Sequence, residues 1–358
     1  MHRWLLLALL CLCAWSVAAP AAAADPCPLL RAQTASPDVA TRIAAYACKE
    51  NQDWYRTFID GDGRVYGPRV YEAENSGLAD GIEAWRHVAM YWNESGLLGS
   101  AYARAGASEC AYAASAAYPS PACRAFIIDT PWSAAFVSWV MRRAGLPGFN
   151  GSASHVSYVR DAYKNSANGA YQVQDPRSGK PAVGDLLCSV RSAARVYGFG
   201  DLATLLSQPD NGGLAMHCDI VVGVAPGQYA YLVGGNVAQA VTLRMLRLAP
   251  NGYFANLVSR TLADPECNPD QPASCNANRA DWAVMLKLKP ASELAKLPPP
   301  YVPPPTQMTP GPAARPQCCV NCVVGSGIPR CPAPGATQVV PGGQPAKPDP
   351  SKQLPPRN

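Results

Sequence analysis

The helix predicted over residues 133 to 144 restricts the fold of this chain more than any other segment. It runs Ser-Ala-Ala-Phe-Val-Ser-Trp-Val-Met-Arg-Arg-Ala, and Gly145 follows as a C-terminal cap. Its apolar residues cover most of the helix circumference, which predicts burial against a sheet rather than a half-exposed position on the surface.

The order of the predicted elements indicates an α+β fold. Helices come first, over residues 36–48, 78–92, 133–144 and a short one that starts at Ser152 or Ser154 and ends at Tyr163. Strands follow at 186–190, 219–224, 229–233, 241–248 and 282–288. Helices followed by a run of antiparallel strands are typical of α+β domains. We therefore expect N-terminal helices packed on an antiparallel β-sheet.

Composition divides the chain into four segments. Residues 1–24 combine a charged start, an apolar run and an alanine-rich end, as in a secretory signal peptide. Residues 25–70 are predicted as a helical lead-in, and residues 71–292 as the α+β domain. Residues 293–358 are predicted to be a disordered tail, because half of the chain's 36 prolines fall after Leu297.

Cysteine usage agrees with export. Of the 14 cysteines, two lie in the predicted signal peptide, and the even number that remains predicts disulfides rather than metal ligands. The sequence leaves open whether Cys188 and Cys218 are bridged or only buried. We expect a periplasmic or secreted protein with no metal, no cofactor and no membrane span after signal cleavage. The predicted local pairs are Cys110–Cys123, Cys267–Cys275 and Cys27–Cys48.

The tail and the charge pattern limit the classes of partner. No histidine lies near the four tail cysteines, so two local disulfides are favoured over a metal knuckle, and a disulfide-linked partner stays open. The formal charge of +5 comes from scattered basic residues, which gives no nucleic-acid-binding patch and suits an anionic cell envelope. The tail cysteines are Cys318, Cys319, Cys322 and Cys331.

Ser133 is the candidate nucleophile. A Pro-Trp turn leads directly into the apolar helix, so Ser133 lies in its first turn. Unpaired N–H groups and the helix dipole favour a developing negative charge there. Trp132, next to it, is a candidate for contact with substrate.

Acyl transfer also needs a base and a group that orients the base. His217 is the candidate base, because it opens the apolar strand Ile-Val-Val-Gly-Val. If the following hairpin turns at Pro226-Gly227, His217 lies directly across from Asn236, within reach of its amide. Asp219 shares the face of His217 by strand alternation and is a second candidate orienting group. The predicted catalytic residues are therefore Ser133, His217, Asn236 and Asp219.

His87 and His155 are weaker candidates than His217 for the catalytic base. His87 lies inside a predicted helix, which favours a structural role. His155 and Tyr158 lie near the start of the next helix and are candidates for lining a substrate cleft. An exposed position at a helix start explains His155 equally well.

The order of these features resembles the CHAP and NlpC division of the papain-like superfamily. The similar segments are Pro-Trp-Ser-Ala-Ala-Phe-Val-Ser-Trp, the His-led strand and the later Gly-Gly-Asn. The resemblance implies hydrolysis of amide bonds in peptidoglycan or another envelope peptide, with Ser133, His217 and Asn236 matching the cysteine, histidine and polar third positions. A closer resemblance, from about Glu72 to Arg260, is to a bacterial family catalogued only as a domain of unknown function.

Serine stands where those hydrolases have cysteine, which leaves three interpretations. The first is an exported hydrolase or acyl transferase in which Ser133 relies on a concerted base and an oxyanion hole. The second is a catalytically silent relative that binds envelope peptide. The third is a structural envelope protein that is tethered through its cysteine-bearing tail.

Overall fold

The computed structural model describes residues 24–209, 213–265 and 267–299, and the backbone of residues 321–322 and 329–330. The predicted signal peptide up to residue 23 and the side chains of the tail cysteines lie outside the described residues.

The helices of the described residues mostly precede the strands. They are α1 (Cys27–Leu30), α2 (Val39–Asp53), α3 (Ala84–Glu94), α4 (Ala107–Cys110), α5 (Pro121–Asp129), α6 (Ser133–Arg143), α7 (His155–Lys164), α8 (Phe199–Ser207) and α9 (Ala291–Leu294). The strands are β1 (Phe58–Ile59), β2 (Val65–Tyr66), β3 (Tyr171–Gln174), β4 (Leu186–Val190), β5 (Met216–Val224), β6 (Tyr229–Val237), β7 (Ala240–Arg247) and β8 (Asp281–Leu288). A separate pair, β9 (Asn321–Cys322) and β10 (Pro329–Arg330), is antiparallel.

One sheet organises the molecule, in the order β2-β1-β7-β6-β5-β4-β8-β3. Its neighbours are antiparallel except β1 and β7, which run parallel. The predicted α+β class is therefore confirmed, whereas a purely antiparallel sheet is not. Strand β1 follows α2 and pairs with β7, which comes much later in the chain. A parallel pair needs a long connection of this kind.

Helices α2 and α6 pack against the central strands β5 and β6. Residues 133–141 of α6 are all buried, as its continuous apolar surface predicts. The approach of α6 to β6 needs a glycine at position 235, because a Cβ there would lie 2.6 Å from the Phe136 Cβ. This close packing fixes the start of α6 relative to the end of β6.

The other side of the central strands carries a second apolar cluster. Along β5, Val221 contributes to this cluster, so strand alternation points His217 and Asp219 to the same side. The polar residues at the beginning of β5 therefore border a hydrophobic layer, which raises the free-energy cost of leaving them unpaired. The cluster includes Leu187, Val221, Leu232, Leu246, Trp282 and Met285.

Several predicted boundaries differ from the structure. The helix predicted over 78–92 begins only at Ala84, because Gly81 has a φ of 85° in a turn that precedes it. Strands β1, β2 and β3 were not predicted, and β1 and β2 lie within the segment predicted as a helical lead-in. Strand β4 has the predicted limits, Leu186–Val190.

The described residues contain four disulfides. The three local pairs predicted from sequence spacing are confirmed, and the fourth joins the directly opposed Cys188 and Cys218 across β4 and β5. Several disulfides in one chain indicate a protein that folds outside the cytoplasm. No helix among the described residues is long and apolar enough to cross a bilayer.

His87 has the structural role predicted for it. Its ring is 3% exposed and lies between two carboxylates, with Nδ1 3.0 Å from Glu50 Oε2 and Nε2 2.9 Å from Asp80 Oδ2. Burial alone would lower the pKa of His87, but the two carboxylates outweigh it and raise that pKa above its ordinary value. The imidazole therefore joins α2 to α3, and both carboxylates favour its charged form.

We expect the contribution of His87 to stability to fall as the pH rises. A pKa raised in the folded state gives stabilisation that is complete below the unfolded pKa of about 6.5 and is lost as pH rises through the folded value. The difference in free energy of unfolding between wild type and His87→Gln should thus be larger near about pH 5.5 than near about pH 8.5. Urea titrations at both values test this, and a gap that is equal or reversed contradicts it. In an Asp80→Asn background, the stabilisation that His87 provides should differ less between the two pH values, because one of the two carboxylates that raise the pKa of His87 is absent.

Candidate active site

Ser133 begins helix α6 and is 7% exposed. The first bond of this helix runs from the Phe136 N–H to the Trp132 carbonyl at 2.9 Å. The preceding N–H groups, those of residues 133–135, have no i−4 partner, which is usual for the first turn. The Ser133 hydroxyl therefore lies next to backbone donors that favour negative charge.

His155 is the partner of Ser133. The Ser133 Oγ lies 2.7 Å from His155 Nε2, and the other ring nitrogen of His155 contacts the Tyr158 hydroxyl. Both His155 and Tyr158 belong to the first turn of α7, so residues three apart share one helix face. Their position near a helix start predicts that these two residues line a substrate cleft. They are instead buried, 4% and 3% exposed, and one of them bonds the candidate nucleophile.

Burial keeps His155 uncharged. It lowers the pKa of His155 well below the ordinary value, and the nearby His217 and Arg191 lower this pKa further, while Asp219 acts in the opposite direction. Burial also raises the pKa of Tyr158 well above its ordinary value. At neutral pH the contact therefore joins a hydroxyl, a neutral imidazole and a neutral phenol.

A second group of polar residues forms around Asp219. His217 Nε2 lies 2.7 Å from Asp219 Oδ1, and the Arg244 Nε–H donates to Asp219 Oδ2 at 2.8 Å. Burial by itself would raise the pKa of Asp219, but the imidazole of His217 and the guanidinium of Arg244, which bond its two oxygens, outweigh burial and hold that pKa well below its usual range. Asp219 is therefore ionised, and the His217 proton lies on Nε2.

This arrangement leaves the Nδ1 of His217 with a free lone pair. The residue is 2% exposed, and its Nδ1 has no hydrogen-bond partner among the described residues. Burial lowers the pKa of His217, although Asp219 opposes that effect. A buried nitrogen without a partner is uncommon in a folded protein.

The two groups lie side by side. The ring centroids of His155 and His217 are 5.3 Å apart, with an interplanar angle of 62°. The structure thus brings together Ser133, His155, Tyr158, His217 and Asp219 from two helices and one strand. Within the described ranges, no set of three or more His, Cys, Asp or Glu side chains is arranged to hold a metal ion.

Asn236 lies in a neighbouring group and not on a histidine ring. With its amide oriented to satisfy both neighbours, it donates to Glu72 Oε2 at 3.0 Å and accepts from the Trp132 N–H at 3.2 Å. Glu72 also accepts from the Trp132 indole N–H at 2.7 Å. Glu72 and Asn236 therefore hold the residue that precedes Ser133. The Trp132 side chain is fully buried, so it packs in the core and is not exposed to a substrate.

The predicted pairing of His217 with Asn236 fails because strand β6 becomes irregular after Gly234. Ile220 pairs with Val233, as the predicted register requires, but a shift between Val221 and Gly223 pairs Val224 with Ala230 instead of Tyr229. On the other side of β6, the register with β7 shifts between Gly234 and Val237, and Asn236 has a φ of 54°. This left-handed backbone, which asparagine tolerates better than most residues, directs Asn236 away from His217.

Sequence reasoning missed Glu72 and Arg244. Arg244 lies inside the apolar strand β7, and a charged residue at such a position signals a buried partner. Glu72 lies in a loop with no comparable signal. The glycines before Asn236 did carry information, because a Cβ at Gly234 would lie 1.9 Å from Asp219 Oδ1.

Gly234→Ala should disrupt the His217–Asp219 pair. The added Cβ would also lie 3.1 Å from His217 Nε2, so one of the two side chains must move. Overpacking of this kind costs about 1–3 kcal/mol in free energy of unfolding. Gly200→Ala is the matched control, because a Cβ there meets no atom within 4 Å and alanine favours a helix. Urea unfolding of both variants tests this, and equal stabilities would contradict the packing described for Gly234.

A family model described as "Uncharacterized protein conserved in bacteria (DUF2272)" matches residues 79–288. The matched range contains Ser133, His155, His217 and Asp219, whereas Glu72 precedes it. Searches of curated proteins and of solved structures gave no match. Since the family model covers more than half of the 358 residues, this chain belongs to the bacterial DUF2272 family.

Proposed function

We propose that this protein is an exported hydrolase of amide bonds in cell-envelope peptides, in which Ser133 attacks and His155 takes its proton. The observation that carries the proposal is the 2.7 Å contact between Ser133 Oγ and His155 Nε2 at the start of a buried helix. A hydroxyl that bonds a neutral imidazole is the arrangement serine nucleophiles need. The base predicted from the sequence was His217, and the proposal moves that role to His155.

The first half of the reaction uses His155 as base and then as acid. The reactive tautomer carries its proton on Nδ1, which donates to the Tyr158 hydroxyl, and leaves the lone pair of Nε2 toward Ser133. As Ser133 Oγ bonds the substrate carbonyl carbon, its proton passes to Nε2. When the C–N bond breaks, Nε2 gives that proton to the leaving amine. The product is an acyl ester on Ser133.

Two features stabilise the charges that develop in this step. The free N–H groups of the first turn of α6 can donate to the oxyanion, which is the purpose of an oxyanion hole. Ionised Asp219, one ring away, stabilises the positive charge on the His155–His217 pair of imidazoles. In the second half a water oxygen bonds the ester carbonyl carbon and gives its proton to His155 Nε2; when the C–O bond to Ser133 breaks, Nε2 returns that proton to Oγ and the acid is released. The unpaired Nδ1 of His217 is a second acceptor available to the water.

Three observations support the proposal of a cell-envelope substrate. Four disulfides indicate folding outside the cytoplasm, which we refine to a periplasmic or secreted location on the basis of the signal-like residues 1–24. The resemblance to CHAP and NlpC-type papain-like enzymes suggests peptidoglycan stem peptides.

The test is digestion of purified peptidoglycan fragments by the purified protein. New amine termini should appear with time, and mass spectrometry of the products should identify the bond cleaved. If no fragment shows a new amine terminus at any protein concentration, the hydrolase proposal fails.

One observation favours the second function, a silent domain that only binds envelope peptide. Ser133 and His155 are 7% and 4% exposed, so a substrate carbonyl reaches them only if neighbouring residues move. In that case the fragments should bind without cleavage, and only a Ser133→Cys variant, whose thiolate is a stronger nucleophile, should cut them.

The pH dependence of the reaction follows from the environment of His155. The base must be neutral, and its activity is lost as the pH falls through its pKa. Burial, His217 and Arg191 lower that pKa well below 6.5, against the opposing effect of Asp219. We therefore expect the acid limb of the kcat/KM profile to be centred below about pH 6.5, where an ordinary histidine would place it. A profile measured with a fixed peptide substrate checks this, and an acid limb centred at or above about pH 6.5 would contradict the role given to His155.

A further inference from the structure

Arg191 extends the face of the sheet that carries His217 and Asp219. It directly follows β4, and its N–H donates at 2.8 Å to the carbonyl of Ala215, which directly precedes β5. This bond continues the register of β4 and β5, in which Ser189 lies opposite His217. Arg191 and His217 are therefore diagonal neighbours on one face, with Cβ atoms at most about 7–8 Å apart, within reach of a long side chain.

The charge of Arg191 acts on both histidines of the site. Burial is the first cause that lowers the pKa of His155 and of His217, and the charge of Arg191 lowers both pKa values further. Such an effect needs a short distance, because charges that are far apart are screened. Arg191 is exposed, whereas the two histidines and Ser133 are buried. The guanidinium therefore lies where the buried site meets solvent.

The Arg191 side chain has no counter-ion among the described residues. The carboxylate whose charge acts on it, that of Asp219, already bonds His217 through Oδ1 and Arg244 through Oδ2. The acidic residues of strand β8, next to β4, and of helix α8 are paired with other arginines, namely Asp281 with Arg260 and Asp201 with Arg195.

This guanidinium is available to an anion from outside the chain. Protein surrounds it closely enough that burial lowers the pKa of Arg191, although the charge of Asp219 opposes that effect. An arginine nevertheless stays charged at neutral pH. A carboxylate that pairs with Arg191 would offset the free energy that partial burial of this charge costs.

We propose that Arg191 binds a carboxylate of the envelope peptide and makes the site selective for peptides with a free carboxylate near the scissile amide. The inference rests on the proposed function, because it takes the Ser133 site as the place where the peptide binds. A guanidinium presents its N–H groups in a fork that matches the two oxygens of a carboxylate. Amidation of the peptide removes the negative charge and one of the two acceptor oxygens.

Isothermal titration with a matched pair of peptides tests the proposal. The probes are the stem tetrapeptide L-alanyl-γ-D-glutamyl-L-lysyl-D-alanine and its diamide, in which both carboxylates are amidated. The protein carries Ser133→Ala, so that neither peptide is cleaved during the titration. At low ionic strength we expect the free acid to bind at least about tenfold more tightly than the diamide. Equal affinities, or saturable binding of neither peptide, would overturn the proposal.

Substitutions in the same background locate the effect. Arg191→Gln should no longer distinguish the acid from the diamide, and its melting temperature should change little because the side chain is exposed. Arg191→Lys keeps the charge without the fork, so it should lose part of the preference, and it decides the matter if Arg191→Gln fails to fold. Arg195→Gln is the matched control, because it removes the same charge from an arginine that is paired with Asp201. An undiminished preference in either folded Arg191 variant, or an equal loss in Arg195→Gln, would refute the assignment.

The failure of this inference differs from the failure of the hydrolase proposal. If the wild type releases amine termini from peptidoglycan fragments but the Ser133→Ala protein binds the acid and the diamide equally, only the role of Arg191 fails. If the acid is preferred through Arg191 but the wild type releases no amine termini, the hydrolase proposal fails and the carboxylate site stands.

Discussion

Replacing Ser133 by alanine is expected to abolish the release of amine termini from peptidoglycan fragments. The change removes one oxygen from a buried helix start that accepts alanine readily, so the fold should be kept. Loss of a serine nucleophile lowers kcat by about 10³–10⁶-fold in enzymes of this type. The measurement is the initial rate of amine release, with the free energy of unfolding compared in parallel.

Two controls make this result interpretable. Ser138→Ala removes a hydroxyl from the same helix, one that accepts from the Ser152 N–H at 3.0 Å and takes no part in the proposed reaction. It should leave the rate close to that of the wild type. Ser133→Cys should keep activity, because a thiol at a helix start next to His155 ionises easily. If Ser133→Ala cleaves as fast as the wild type, Ser133 is not the nucleophile.

Replacing His155 by glutamine should have the second-largest effect. Glutamine is of similar size and polarity but accepts no proton, so the Ser133 hydroxyl loses its base. General-base catalysis contributes about 10²–10⁴-fold, and we expect kcat to fall by that factor with a smaller change in KM. Initial rates measured at a series of concentrations of one peptide substrate give both constants.

Variants of the neighbouring residues distinguish the two histidines. Tyr158→Phe removes the hydroxyl that contacts His155, and the rate should fall by about tenfold, the value of one hydrogen bond to a group that becomes charged. If His217→Gln abolishes cleavage while His155→Gln leaves it intact, the base is His217, as the sequence alone suggested.

Local signals explain what the sequence predicted well. Helix α6 begins at the predicted Ser133, and Gly145, with a φ of 67°, follows its end. Both boundaries could be predicted because the residues next to them specify where the helix starts and stops. The limits of strand β4 were also predicted correctly. The two-residue strands β1 and β2 were missed, since so short a run shows no periodicity.

Tertiary packing decides the rest of the site. Ser133 and His155 are 22 positions apart, and only the way α7 packs brings the ring to the hydroxyl. The hairpin arithmetic that placed Asn236 across from His217 assumed regular strands, and the irregularities at Gly223 and Asn236 are not visible as a pattern in the sequence. Glu72 reaches Trp132 from a loop 60 residues away, which no local rule anticipates.

The most direct test of the account is the rate at which a fluorophosphonate, which reacts with activated serine hydroxyls, modifies the protein. We predict a single adduct on Ser133, located by peptide mass spectrometry, and a rate that falls at least about 100-fold in His155→Gln. The absence of an adduct on Ser133, or an equal rate in the two proteins, would contradict the claim that His155 activates this serine.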